Sequence, residues 1–358
     1  MQNPRFGRRA LVLSTAVVVA LSGSTALRAQ SNNDSAISVT SSDLAAASGA
    51  TNLHHHIRFA NTEAGRSAAR SQAGEKLAAG AKPGGAALAV ASNVVGYFPA
   101  DLVYVGGPVV TSAESHAIYV NSNHNTGDCE GVSECWGNPE GFLRDLGQST
   151  FIHVTDQYTG LTSNNRYTVG PHSRVSVPSG TLFDADLAAI VHSVAKKRGT
   201  GYSHIYHIFI PPGTDTCSTF GVPNGNFCYS PDNPATFSFC AYHGSVDFSD
   251  IGHVLFTVEP SQNVPGCDVA VPSPNGQLID STDSTLSHET FETITDPDGS
   301  AWFNLTSLLL AGAEIGDECI SLADNTGASP EPIFSINGHP YRVQIEYSNT
   351  YHACINVP

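Results

Sequence analysis

The sequence predicts an α/β (α+β) fold in which a mixed sheet carries flanking helices. Strand-like runs and amphipathic helical stretches alternate from Val95 onward, 41% of the 358 residues are hydrophobic, and only 13% are charged. This composition supplies enough apolar surface for a sizeable core and argues against a disordered or fibrous chain. Interleaved helices and strands favour a layered α/β architecture over a bundle or a sandwich.

The first 29 residues have the pattern of a secretory signal peptide. Arg5, Arg8 and Arg9 precede the apolar run Ala10–Leu21, and small residues then lead to Ala29. The apolar run is shorter than the ~20 residues that a membrane span needs. We therefore expect a secreted, extracellular or periplasmic protein with no membrane span in its mature form.

Residues 30–94 are rich in Ala, Ser, Gly and Asn. This bias predicts a poorly packed extension or pro-segment, with short helical stretches around Glu63–Ala79. Three adjacent histidines, His54 to His56, fall inside it, and we expect them to form a solvated tract rather than a metal site. A single globular domain is then expected over residues 95–358.

Within that domain the pattern of apolar residues assigns each element in order. In Asp184–Lys197, apolar residues recur at helical spacing, whereas Ser203–Pro211 is the strongest candidate for a buried strand. His204 and His207 flank this strand and are expected to be structural. The predicted helices are Pro139–Tyr158, Asp184–Lys197 and Ser281–Thr295. The predicted strands are Leu102–Val110, His116–Asn121, Arg166–Pro178, Ser203–Pro211, Thr236–Asp247 and Val254–Glu259.

The charge balance limits the partners of the protein. Four of its 16 basic residues and none of its 32 acidic residues lie in the first 29 positions, so the remainder carries 12 bases against 32 acids. Such an acidic chain repels phosphate backbones, which argues against nucleic acid as a partner.

Eight cysteines in an exported chain predict disulfide bonds. Proximity in sequence favours Cys129–Cys135 and Cys217–Cys228, which leaves Cys240–Cys267 and Cys319–Cys354. No C-x-x-C pair occurs, so a zinc–thiolate site is not favoured.

The segment with the clearest chemistry is Ser287–Glu292, which contains an H-E-x-x-E motif. On a helix, His288 and Glu292 are four residues apart and share a face, where they can ligate a divalent cation. Glu289 is turned about 100° round the helix, as the general base is in the H-E-x-x-H helix of metallopeptidases. Carboxylate is an accepted zinc ligand, so a zincin-like metal helix near the C-terminal end remains chemically sound with Glu in place of the second His.

A third metal ligand is needed, and two positions compete for this role. Glu314 lies 26 residues after His288 and is favoured. Asp317 is expected to hydrogen-bond a ligand, and it is also a less favoured candidate for a metal ligand. Asp298, ten residues after His288, is the alternative, although Thr295 occupies the position where related motifs have Gly. Asp296 and Asp298 are also candidates for Ca²⁺ binding or for simple capping of the turn.

The region from Cys240 to Cys319 resembles the EXORDIUM / phosphate-induced protein family. Cys240–Gly244 resembles its C-x-x-H-x-H element, with Ser245 in place of the second His, and His288–Asp298 resembles the H-E-x-x-E-x-x-T-D-P-D helix of microbial members. Trp302 and Glu314–Cys319 resemble the W and E-x-x-D-x-C elements that follow. The resemblance implies secretion and a metal-type helix. In plant members that helix has degenerated, and those proteins are linked to cell-wall growth signalling with no established enzymatic activity.

These observations lead to two main functional hypotheses. The first is a secreted zinc-dependent hydrolase of metallopeptidase-like design, acting on a peptide or cell-wall-associated substrate: His288, Glu292 and Glu314 hold Zn²⁺ and Glu289 transfers the proton. The second is a non-enzymatic secreted cell-wall or signalling protein with a structural or vestigial metal site. His243 is a candidate additional ligand or catalytic neighbour, although a structural role is favoured for it. A disulfide-stapled carbohydrate-binding module is a weaker third hypothesis.

Overall fold

The structure is a computed structural model that describes residues 36–78, 101–122, 136–219, 227–305, 312–320 and 331–357. The expected signal peptide and the expected Cys129–Cys135 bond lie outside these ranges.

Six α-helices and seventeen short or long strands make up the described part of the chain. The helices are α1 (Ser41–Ser48), α2 (Glu63–Ala78), α3 (Pro139–Gln148), α4 (Asp156–Thr159), α5 (Asp184–Arg198) and α6 (Gln277–Thr295). The first strands are β1 (Ile37–Ser38), β2 (Thr51–Phe59), β3 (Val103–Tyr104), β4 (Ala113–Val120), β5 (Tyr167–Val169), β6 (Ser173–Ser176), β7 (Leu182–Phe183), β8 (His204–Ile210) and β9 (Thr216–Ser218). The remaining strands are β10 (Phe227–Tyr229), β11 (Phe239–Phe248), β12 (Gly252–Pro260), β13 (Trp302–Phe303), β14 (Ile333–Ile336), β15 (His339–Arg342), β16 (Glu346–Ser348) and β17 (Ala353–Ile355).

A mixed sheet forms the centre of the fold, in the order β1-β6-β4-β8-β12-β11-β2, with β5 also paired to β4. The strands from β1 to β12 in this order pair in parallel, whereas β11 is antiparallel to both β12 and β2. One face packs with α5 in a core that includes Ile190 and Phe256, and the other packs with α6 in a core that includes Phe291 and Leu255. The predicted mixed α/β fold with flanking helices is therefore confirmed.

The segment before residue 95 is an integral part of this sheet over its described residues, so the expected poorly packed extension is wrong there. Strand β2 pairs with β11 along most of its length. Side chains alternate across a strand, so His54 and His56 face one side while His55 faces the other. Both His55 and His56 are buried, 2% exposed each, so they do not belong to a solvated tract.

Three predicted elements differ in extent from those observed. The expected helix Pro139–Tyr158 divides into α3, a 3-10 turn over Phe151–Thr155, and α4, because Ser149 adopts an extended backbone after α3. The expected strand Arg166–Pro178 is split into β5 and β6, with Pro171, which lacks a backbone donor, between them. Helix α6 begins at Gln277, four residues before the predicted start, and the predicted helix α2 is present.

Three of the expected disulfides are present: Cys217–Cys228, Cys240–Cys267 and Cys319–Cys354. Such bonds are typical of proteins that fold in an oxidising compartment. Among the described residues, no helix combines the length and the hydrophobicity needed to cross a bilayer.

Candidate metal centre

Helix α6 delivers the H-E-x-x-E residues to the interior. It packs against β11 and β12, and its apolar residues Leu286, Phe291 and Ile294 join the core. His288 Nε2 lies 3.1 Å from Glu292 Oε1, one helical turn further on. His288, Glu289 and Glu292 are all 0% exposed. The local spacing in sequence therefore produces the shared face that it predicted.

The sheet supplies two further imidazoles beneath this helix. His243 on β11 is directly opposite His56 on β2, so their side chains share one face of the sheet. His243 Nδ1 lies 3.5 Å from Glu289 Oε2 and 3.4 Å from Glu292 Oε2. His243, on the strand next to the sheet edge, thus contacts both carboxylates of the motif.

The segment 312–320 closes the third side with Glu314 and Asp317. Glu314 Oε1 lies 2.9 Å from His56 Nδ1, and Glu314 Oε2 lies 3.6 Å from His243 Nε2. Asp317 Oδ2 lies 2.5 Å from His56 Nε2, and its backbone N–H donates to Glu292 Oε1 at 3.2 Å. We call the set the His–carboxylate cluster; its members are His56, His243, His288, Glu289, Glu292, Glu314 and Asp317.

Gly316 lets this segment approach α6 closely. A Cβ atom on residue 316 would lie 2.3 Å from His288 Nδ1, well inside van der Waals contact. The backbone of Gly316 therefore packs directly on the imidazole, and its carbonyl accepts a hydrogen bond from Gln344 at 2.7 Å.

The structure brings most of the predicted site residues together, but Asp317 and Glu314 have different contacts from those expected. Asp317, a less favoured ligand candidate, lies 3.9 Å from His288 Nε2, and its backbone N–H donates to Glu292. Glu314, the favoured third ligand, instead contacts His56 and His243. The two ends of the cluster are linked twice, because His56 contacts both Glu314 and Asp317, and Glu292 contacts both His243 and His288.

Asp298, the alternative third ligand, has other partners. Its Oδ2 accepts a hydrogen bond from Tyr202 at 2.6 Å, and its Oδ1 lies 3.2 Å from His253 Nε2. Asp296 Oδ1 accepts hydrogen bonds from the backbone of Ser300 and Ala301 at 2.6 and 2.7 Å, so it caps the turn. These contacts support the capping interpretation of the turn rather than a Ca²⁺ site.

Sequence reasoning missed His56 and gave too little weight to His243. The signal for His56 is present in the run from Leu53 to Ala60, where Ile57 and Phe59 follow the histidines at strand spacing. Three consecutive polar rings hide this alternation. The run can also be interpreted as a strand, with His54 and His56 on one face and His55, Ile57 and Phe59 on the other.

Burial and charge act in opposite directions on the pKa values in the cluster. Burial alone would lower the pKa of His243, but Glu314, Glu289 and Glu292 raise it well above its ordinary value. Burial alone would raise the pKa of Glu292, but His288 and His243 hold it well below its ordinary value. Burial raises the pKa of Glu289, although His243 opposes the shift. Without a cation, the positive charge on the imidazoles therefore balances only part of the negative charge on the carboxylates.

Several buried atoms of the cluster accept no hydrogen bond from the described residues. They are both carboxylate oxygens of Glu289 and of Glu314, Glu292 Oε2 and Asp317 Oδ1. Histidine nitrogens lie beside Glu314 and Glu289, but these contacts do not give each buried carboxylate oxygen a hydrogen bond of good geometry. Such incomplete pairing of buried charge is unfavourable, and a bound cation would offset it. Imidazole together with carboxylate is a donor set that suits zinc, whereas Ca²⁺ prefers oxygen ligands alone. In this region, three groups of residues have ligand atoms within 4.8 Å of one another: His54, His243 and Glu314; His56, Glu292 and Asp317; and His243, Glu289 and Glu292. Among the described residues His288 belongs to none of these groups, and it reaches them through its 3.1 Å contact with Glu292.

Gln344 holds the outer nitrogen of His288. Its amide nitrogen lies 3.1 Å from His288 Nδ1 while it also donates to Gly316. In this arrangement Nδ1 accepts, so the ring proton lies on Nε2 and faces Glu292. Metal binding through Nε2 would place the ring proton on Nδ1, so the contact between His288 Nδ1 and the Gln344 amide nitrogen would have to rearrange.

Comparisons with protein-family models, with curated proteins and with solved structures find no match for this chain. The fold and the cluster together define a mixed α/β protein with a buried candidate metal centre made of histidines and carboxylates.

Proposed function

We propose that this protein is a secreted metal-dependent hydrolase of metallopeptidase-like design. The observation that carries the proposal is the pairing of His288 and Glu292 on one face of α6, within a buried cluster that holds more carboxylate oxygens than its neighbours satisfy. The donor set favours zinc. The signal-like N-terminus and the three disulfides support secretion.

His288 and Glu292 would hold the metal, with Asp317 or His56 completing the set at one end of the cluster. Zinc would supply Lewis acidity, which makes water an effective nucleophile near neutral pH. Glu289 is the candidate general base because it directly follows His288 in α6, and its oxygens receive only the long contact from His243 among the described residues. Its carboxylate would accept a proton from the attacking water and return it to the leaving amine of a peptide. His243, 3.5 Å from Glu289, would orient that carboxylate.

A direct test compares the wild-type protein with Glu289→Gln in a peptide-library cleavage assay and by metal analysis. We expect the variant to lose cleavage by at least a hundredfold and to retain its metal. Glu63→Gln is a suitable control, because Glu63 lies in the first turn of α2, outside the cluster. Undiminished cleavage by Glu289→Gln would contradict the proposal.

A second candidate function is a non-enzymatic secreted protein with a structural metal ion. Complete burial favours it: His243, His288, Glu289, Glu292 and Glu314 are all 0% exposed, so a substrate reaches them only if the surrounding chain opens. Structural zinc sites are closed, whereas catalytic sites keep a position open. Two results together would favour this candidate. Removing the metal would lower the melting temperature, and the wild-type protein would cleave no peptide of the library.

A further inference from the structure

A second group of metal-ligating side chains lies at the N-terminal ends of two neighbouring parallel strands. Glu114 and His116 are on β4, two residues apart, and His204 begins β8, directly opposite Glu114. Side chains at these positions share one face of the sheet. His116 Nε2 lies 3.2 Å from Glu114 Oε2 and 3.1 Å from His204 Nδ1.

This group is on the opposite face of the sheet from the His–carboxylate cluster. His116 is opposite Tyr206, whose ring packs in the core beside α5, whereas Ala117 is opposite His207 in the row that continues through Thr257 to His243. The two groups therefore bind or fail to bind a metal independently of each other.

The tautomer of His116 is set by a backbone carbonyl. His116 Nδ1 lies 3.3 Å from the oxygen of Pro171, which can only accept a hydrogen bond. The proton of a neutral ring is therefore on Nδ1, and the lone pair of Nε2 points towards Glu114 and His204. In this tautomer His116 Nε2 accepts a hydrogen bond from His204 Nδ1, and a metal ion bound between the two nitrogens would replace that proton. A histidine that donates one ring N–H to a carbonyl and ligates through its other nitrogen is the usual arrangement at protein metal sites.

The spacing of the three ligand atoms also suits a metal ion. Tetrahedral ligands at ~2.0–2.1 Å from zinc lie about 3.3 Å from one another, close to both distances measured from His116 Nε2. All three ligand atoms lie within 4.8 Å of one another.

The surroundings leave room and access for an ion. Residue 170 is glycine, and a Cβ atom there would lie 2.4 Å from the His116 ring and 2.7 Å from the Glu114 carboxyl group. The Glu114 side chain is 41% exposed, while His116 is buried. Arg198 is the competing positive charge nearby; it donates to the carbonyl of His172 at 3.5 Å rather than to Glu114.

We propose that Glu114, His116 and His204 form a second metal site that binds Zn²⁺ or a similar transition-metal ion, with its remaining coordination position open to solvent. Two imidazoles and one carboxylate select such ions over Ca²⁺ or Mg²⁺. A bound ion would join the first residues of β4 and β8, and the hydrogen bond from His116 would connect the site to the carbonyl of Pro171.

The test is equilibrium dialysis of untagged full-length protein against Zn²⁺, followed by elemental analysis. We expect His204→Gln and Glu114→Gln each to reduce the bound zinc by about one equivalent, or to weaken that equivalent at least tenfold. Both residues are partly exposed, so the variants should keep the wild-type circular-dichroism spectrum. His339→Gln is the matched control, since His339 is an exposed histidine that pairs with Asp145, and it should leave binding unchanged.

Two results would overturn the proposal. The first is that His204→Gln and Glu114→Gln hold as much zinc, and as tightly, as the wild type. The second is that His339→Gln loses as much zinc as they do. Because each variant is compared with the wild-type chain, these results are independent of whether the cluster beside α6 is catalytic. The His288→Ala variant tests the His–carboxylate cluster separately, because His288 is not part of the second site.

Discussion

His56 Nε2 lies 2.5 Å from an oxygen of Asp317, although 261 residues separate the two in sequence. His56 comes from the edge strand β2, and Asp317 from the short 3-10 turn Asp317–Cys319 near the C-terminal end. The contact joins an N-terminal strand to a C-terminal turn at the candidate metal centre. The N-terminal strand is therefore part of the site as well as part of the sheet.

A chain shortened to begin at Val95 should consequently fail to fold and to bind the core metal. It lacks β2, whose removal exposes the backbone of β11, and it lacks His56. We expect loss of the cooperative thermal transition and of protease resistance. If the shortened chain kept a native-like transition and bound zinc as the full chain does, the integral role of residues 51–59 would be contradicted.

Gly316→Ala should weaken metal binding at the cluster. The added methyl group would lie 2.3 Å from His288 Nδ1 and must push the ring or the backbone aside. We expect at least a tenfold loss in zinc affinity by competition with a chelating dye. Gly49→Ala is the matched control: Gly49 has φ −98° and an added Cβ would have its nearest contact at 3.6 Å, so affinity should not change. Equal affinities for the two variants would show that Gly316 does not position His288.

Asp43→Asn should destabilise the protein by about 3 kcal/mol near neutral pH. Asp43 is 0% exposed and accepts from Lys196 and from His192, so it ties α1 to α5. Burial alone would raise the pKa of Asp43, but the hydrogen bonds from Lys196, Thr40 and His192 lower it well below its ordinary value of 3.8.

Because the folded-state pKa of Asp43 is lowered, its stabilisation is present above pH 3.8 and is lost as the pH falls towards the folded-state pKa. The difference between wild type and Asp43→Asn in the free energy of unfolding should therefore shrink below pH 4, measured by urea denaturation. Asp186→Asn isolates the capping contribution, since Asp186 accepts from the backbone of Phe183 in the same way, and should cost only ~1 kcal/mol. A difference independent of pH would refute the assigned role of Asp43.

Removal of the Cys319–Cys354 disulfide should affect the metal centre as well as stability. The bond closes 35 residues and fastens the turn that carries Asp317. We expect Cys319→Ala/Cys354→Ala to lose ~3 kcal/mol of stability and to bind zinc more weakly. The Cys217→Ala/Cys228→Ala variant should lose stability alone, because that bond joins β9 and β10 in the core beside α5. Equal zinc affinities in the two double variants would contradict the coupling.

Local patterns made part of the site predictable. His288 and Glu292 are one helical turn apart, so a helix alone brings them together, and α6 does so. Proximity in sequence also predicted the Cys217–Cys228 disulfide, since short loops close at little entropic cost. The pairs Cys240–Cys267 and Cys319–Cys354, which remained after the two short loops were assigned, are confirmed as well.

The remaining site residues depend on tertiary pairing that spacing does not encode. His56 reaches the cluster only because β2 pairs with β11 in a register that places it opposite His243. Whether Glu314 or Asp317 lies nearer to His288 depends on how the backbone turns at Gly316. The number of residues that separate them from His288 in sequence does not show this. The alternation within His54–His56 was masked because all three residues are the same.

The most direct test of the central claim is elemental analysis of mature protein, produced without an affinity tag in an oxidising compartment, beside His288→Ala and the surface control His339→Ala. We predict that His288→Ala lacks about one equivalent of zinc that the wild type and the His339→Ala control both retain, with folding of each protein verified by circular dichroism. Equal zinc content in all three proteins, or no zinc in any of them, would contradict the assignment of a metal centre to α6.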